Sequence, residues 1–117
     1  MNDVILKAGG SMFCNQFMDI DNTSRKVLNN LFLEIEKDTN LVQIGGATMT
    51  SLVGRTGYSE GTIRKAMVVL NKFKLAEKTN LRGEYIVNPL FAVKGNEELV
   101  WQVYGKIEKK LQDGDMR

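Results

Sequence analysis

The chain has 117 residues, 43% of them hydrophobic and 26% charged, with a net charge of +2. That suits one soluble globular domain with its own core, and no apolar run approaches the ~20 residues that a membrane span needs. The sequence has no histidine and a single cysteine, Cys14, which excludes Ser-His-Asp and Cys-His catalysis, HExxH zinc sites and a disulfide within the chain.

Cys14 reads as a small buried hydrophobe. There is no GxxxxGK[ST] and no GxGxxG after a strand, and Gly9-Gly10 and Gly45-Gly46 are isolated turn material. A nuclease without histidine needs clustered carboxylates for Mg²⁺. Asp19 with Asp21 and Asp113 with Asp115 are close in sequence but fall in an expected loop and an expected tail. An enzyme, a metal and a cofactor are therefore not expected. The chain begins Met1-Asn2-Asp3 with no basic stretch leading into an apolar one, so no signal peptide is read and the cytoplasm is the expected location.

Charge is unevenly spread. Residues 1–54 are net −2, residues 55–83 net +5 and residues 84–117 net −1. A basic quarter on a near-neutral chain points to an anionic partner met by one face.

In chain order, residues 4–7 and 11–14 flank Ala8-Gly9-Gly10 as in a hairpin. The alternative is a disordered start followed by a short helix using Phe13, Phe17 and Ile20. Asp21-Asn22-Thr23-Ser24 supplies N-cap residues, and Leu28, Leu31, Phe32 and Ile35 recur at helical spacing, which predicts a helix from Thr23 to Lys37. Asp38-Thr39-Asn40 ends it. Residues 41–44 form a short strand candidate closed by Gly45-Gly46.

A helix is predicted over Thr48–Arg55, with Met49, Leu52 and Val53 inward. Gly57 lets the backbone turn at positive φ, and Ser59 caps the next helix. There Ile63, Ala66, Met67 and Leu70 form the inner stripe, while Gly61, Arg64, Lys65, Val68 and Lys72 face out. Small and basic residues near an exposed helix start suit groove reading: Arg64 reaches guanine or phosphate, Val68 a thymine methyl, and the free N–H groups a phosphate. A solvated basic face is the plainer account, weakened by the turn before this helix and the basic ribbon after it. That ribbon runs from Leu75 to Thr79, turns through Asn80-Leu81-Arg82-Gly83, returns over Glu84–Val87 and stops at Pro89.

Asn96 caps a last helix with Glu97 and Glu98 in its first turn. Val100, Val103, Ile107 and Leu111 make its stripe, with Trp101 and Tyr104 beside it. This width predicts a dimer seam anchored by Trp101 and Tyr104; the alternative is a helix packed on its own domain with Trp101 partly exposed.

Helix, short strand, helix–turn–helix and β-ribbon in this order resemble a winged helix–turn–helix domain. SEGTIRKAMVVLNKFKLAEKT (Ser59 to Thr79) is similar to the recognition helix and first wing strand of many bacterial members. GEYIVNPLFAVKGNEE (Gly83 to Glu98) resembles RepL-type plasmid replication proteins of Firmicutes at Tyr85, Asn88, Pro89, Phe91, Lys94 and Gly95. The resemblance spans about residues 23–105. It implies an α+β, mainly α, winged helix–turn–helix over 23–95, preceded by an extension or hairpin (1–22) and followed by a C-terminal helix (96–117) as a candidate dimerisation element. It further implies a homodimer bound to double-stranded DNA, plasmid- or nucleoid-associated, working beside replication or partition proteins. Ser59, Thr62, Arg64 and Lys65 are the expected base and phosphate contacts, Lys78 and Arg82 the wing contacts, and Arg55 and Lys72 phosphate positioners. Plasmid replication or its control, transcriptional regulation and partition all fit this class, and a protein-interaction module is the alternative outside it.

Overall fold

The computed structural model describes residues 4–6 and 20–114, with side-chain surroundings over 20–111. The elements are β1 (Val4–Leu6), α1 (Asn22–Glu34), β2 (Leu41–Gln43), α2 (Gly46–Thr56), α3 (Glu60–Lys72), β3 (Ala76–Lys78), β4 (Glu84–Val87), β5 (Ala92–Lys94) and α4 (Glu97–Gly114). This is a mainly helical α+β architecture. Expectations for Cys14, Phe13, Phe17, Asp19 and Asp115 fall outside the described residues. No described helix is long and apolar enough to cross a membrane, and no cluster of three metal-ligating side chains occurs among the described residues.

The helical stripes read from spacing are the core. Leu28 and Leu31 of α1, Leu52 of α2, and Ile63, Met67 and Leu70 of α3 are essentially fully buried, each stabilising the fold by roughly 1.5–3 kcal/mol. They meet because α1 packs on α2 and α3. Strands β2, β4 and β3 form an antiparallel sheet in that order, with Val42 and Lys78 both in register with Tyr85. Val87 of its central strand joins this core, and Ile86, also fully buried, faces the other side of the sheet.

One expectation needs correction. Helix α1 ends at Glu34, not Lys37, because Ile35 turns to extended backbone (φ −69°, ψ 148°) while burying its side chain. The chain then reverses through positive-φ residues Asp38 and Asn40. Strand β1 pairs with β5, Val4 opposite Lys94, while the hairpin or short helix expected over residues 7–19 lies outside the described residues. Strand β5 itself was not foreseen.

Buried polar side chains stitch these pieces together. Asn40 binds β4 and β5 at once. Its Nδ2 donates to the carbonyls of Val87 (2.9 Å) and Ala92 (2.8 Å), and its Oδ1 accepts from the Lys94 amide (2.9 Å). Gly95 has φ +88°, and a Cβ there would lie 2.3 Å from Asp38 Oδ1 and 2.9 Å from the Asp38 amide nitrogen. Only glycine fits that crossing. Lys94 reaches back to donate to the Phe32 carbonyl (3.2 Å), near the carboxyl end of α1, and the Phe91 ring stacks on Phe32 with centroids 6.1 Å apart.

Helix α4 is held to β3 by a second polar cluster. Tyr104 donates its hydroxyl to Glu77 Oε2, and Asn88 Nδ2 donates to the same oxygen (3.1 Å), to Tyr104 Oη (3.3 Å) and to the Lys74 carbonyl (3.1 Å). Burial pushes the Glu77 carboxyl above its ordinary value of 4.5, and the charge of Glu108 adds to the rise. Burial and the adjacent Glu77 raise the Tyr104 hydroxyl too.

Glu77 therefore contributes stability below the ordinary glutamate range and loses it as pH rises through its elevated native value. Glu77→Gln, which keeps the acceptor and removes the charge, is expected to melt a few degrees above the parent at neutral pH. The gap should close as pH falls to the ordinary glutamate range, where Glu77 is protonated in the fold. Thermal unfolding followed by circular dichroism checks this, and a variant less stable at both pH values contradicts it.

Candidate nucleic-acid interface

The site is built on the turn between α2 and α3. Gly57 caps α2 at φ 77° with its N–H on the Val53 carbonyl (2.9 Å), a conformation that strains other residues. Thr56 Oγ donates to the Leu52 carbonyl (2.7 Å) and accepts from the Tyr58 amide (3.1 Å), which locks the turn. Tyr58 then packs against the core, with Lys26 Nζ 5.2 Å from its ring centroid.

Helix α3 starts where expected. Ser59 Oγ accepts from the Thr62 amide (3.2 Å) and donates to Thr62 Oγ1 (3.0 Å). The Ser59 hydroxyl is thus the cap that opens the helix, and it also ties down Thr62, so these two residues expected as contacts are first paired with each other. With the inner stripe buried, Gly61, Arg64, Lys65, Val68 and Lys72 are all exposed, Val68 at 66%. Arg64 has only an open i,i+4 approach to Glu60 at 3.8 Å, an exposed pair worth ~0.3–0.5 kcal/mol and easily surrendered.

Arg64 meets the hairpin. One open cleft of about 480 Å³ is lined by Arg64, Met67 and Val68 from α3, Lys78, Arg82 and Tyr85 from the hairpin, and Gln43 at the end of β2. Three cations converge there and no carboxylate is among its lining residues. Burial raises the Tyr85 hydroxyl, and the positive charge of Arg64 opposes that rise, so Tyr85 stays a neutral donor beside the cations. Such a cleft can hold anionic oxygens between a helix and a β-ribbon.

Other expected site residues sit elsewhere. Arg55 is ion-paired with Glu34, which braces α2 against α1, and its side chain stays 38% exposed. Lys72 is exposed at the end of α3, with Nζ 5.9 Å from the Phe73 ring centroid. Tyr104 points its hydroxyl into the chain, and Trp101 makes an edge contact on its ring, centroids 5.7 Å apart. Both expected dimer anchors are half-buried: Tyr104 directs its hydroxyl into the chain, and Trp101 Nε1 lies 3.3 Å from Glu97 Oε2.

Gln43 and Tyr85 were not expected in the site. Tyr85 was legible in principle, because the hairpin turn puts it opposite Lys78. Gln43 arrives through strand pairing with Glu84, for which no local signal exists. Comparison of the chain with protein-family models, curated proteins and solved structures gives no match.

Proposed function

We propose that the chain is a sequence-specific double-stranded DNA-binding protein of the winged helix–turn–helix type, acting in plasmid or mobile-element replication or its control. The observation that carries this is the acid-free cleft where Arg64 of α3 meets Lys78 and Arg82 of the hairpin. In this reading α3 enters the major groove, the hairpin is the wing, and a phosphate backbone lies between them. Lys65 and Lys72 extend the cationic surface along the same exposed helix face.

The narrower replication role rests on the RepL-like residues 83–98. Asn88, Phe91, Lys94 and Gly95 among them hold α1, β4, β5 and α4 together, so they support a shared scaffold more directly than a shared target. Transcriptional regulation and plasmid partition remain the runners-up. A footprint separates them: a palindrome near an origin favours replication, and an array of repeats favours partition. The exposed Val68 supports a second reading, a protein-interaction module. A homodimer formed through the outer face of α4, with Trp101 at its centre, completes the proposal and is measured by sedimentation.

Fluorescence titration of a mixed-sequence duplex at two salt concentrations tests the DNA reading. About five phosphate contacts, from Arg64, Lys65, Lys72, Lys78 and Arg82, give a drop in affinity of roughly 10²–10³ between ~50 and ~200 mM salt. No binding at ~50 mM overturns the proposal.

A further inference from the structure

The hairpin tip presents a leucine to solvent. Leu81 is 56% exposed between Asn80 and Arg82. Single exposed apolar residues are common, but this one sits on a braced turn, at the rim of an open recess that it lines with Asn71 and Leu111. The buried Thr79 accepts from the Leu81 amide through Oγ1 (3.1 Å) and donates to Glu84 Oε1 (2.8 Å). The Glu84 amide returns to the Leu81 carbonyl (3.1 Å). Beyond the tip, Gln43 Nε2 donates to the Arg82 carbonyl (2.9 Å) and the Ile44 amide to that of Gly83 (2.8 Å). The backbone on both sides of the side chain is therefore fixed to β2 and to the hairpin itself.

Cations flank the leucine. Arg82 follows it and Lys78 lies at the end of the incoming strand, both exposed and both lining the cleft against α3. A rigid apolar tip between cations is what a minor-groove wedge requires: the charges hold the two backbones while the apolar group parts a base step.

We propose, on the reading that the chain binds duplex DNA, that Leu81 enters the minor groove, partly unstacks one base step and bends the duplex toward the major groove. The cations fix the tip at the groove, and the braced turn resists recoil, so the cost of unstacking falls on the DNA. Flexible pyrimidine–purine steps are the favoured place for insertion.

The experiment is end-to-end energy transfer on a labelled duplex of about 30 base pairs, selected from a random pool by the parent protein. The parent complex is expected to be bent by roughly 20–90°. Leu81→Ala is expected to bind about three- to tenfold more weakly and to lose most of the bend, whereas Leu81→Phe keeps it. Arg82→Ala binds more weakly but still bends. Circular dichroism confirms that these exposed substitutions leave the fold intact. A straight parent complex, or full bending by Leu81→Ala, overturns the wedge while leaving DNA binding standing. A parent protein that binds no duplex overturns both.

Discussion

Asn40→Ala is expected to cost about 3–5 kcal/mol of folding stability. The side chain is fully buried and engages three backbone groups, the carbonyls of Val87 and Ala92 and the amide of Lys94. Alanine supplies none of those partners, and each orphaned buried group costs ~1–3 kcal/mol before relaxation and water recover part of it. Asn40 also sits at φ 60°, a region that asparagine tolerates and alanine resists by ~1–2 kcal/mol. Asn40→Gly separates the two contributions. It removes the same hydrogen bonds but not the backbone freedom, so it should recover roughly 1 kcal/mol relative to alanine. Asn40→Asp keeps an acceptor for Lys94 but turns a carboxylate toward two carbonyls, and should fare no better than alanine. Urea unfolding gives all three values. A loss below ~1 kcal/mol for Asn40→Ala would show that the strand junction does not depend on this residue.

Asn40 also illustrates what the sequence hid. Asp38-Thr39-Asn40 reads as polar material ending a helix, and the helix does end close by. Nothing within ten residues shows that Asn40 is the most interior of the three, because its partners lie 47 to 54 positions away. The same distance problem explains Tyr104. On its own helix it is an aromatic beside an apolar stripe, a reasonable anchor for a second subunit. Strand β3 brings Glu77 beneath it, and the hydroxyl is spent there. Arg55 likewise has a distant partner, Glu34, 21 residues earlier.

What was legible is what local physics determines. The stripes of α1 and α3 follow from 3.6-residue spacing, the start of α3 from Ser59, the turn from Gly57, and the hairpin from the strand-forming run Tyr85-Ile86-Val87 after a Gly-containing turn. Helix α3 having only one apolar face put Arg64 outward, and the hairpin following it directly put Lys78 and Arg82 nearby. The cleft was thus half-visible: its cations were named one by one, but the strand pairing that adds Gln43 and Tyr85 was not.

Replacing Arg64, Lys78 and Arg82 together by alanine is expected to reduce DNA affinity about 10²–10³-fold at ~100 mM salt, a loss of roughly 3–4 kcal/mol. Each lost phosphate contact lowers the salt slope by ~0.9, so three lower it by about 2.7. Stability should hold or rise, because the exposed cations repel one another across a cleft that no carboxylate lines. The decisive comparison is a second triple variant, Lys106→Ala, Lys109→Ala and Lys110→Ala, on the exposed side of α4. Both variants take the net charge from +2 to −1. If binding is a property of overall charge, the two lose affinity alike. If it belongs to the face where α3 meets the hairpin, the α4 variant keeps its affinity to within about threefold and its slope is nearly unchanged. Equal losses in the two would remove the cleft from the site and leave only a weak polycation effect, which a protein this close to neutral can hardly supply.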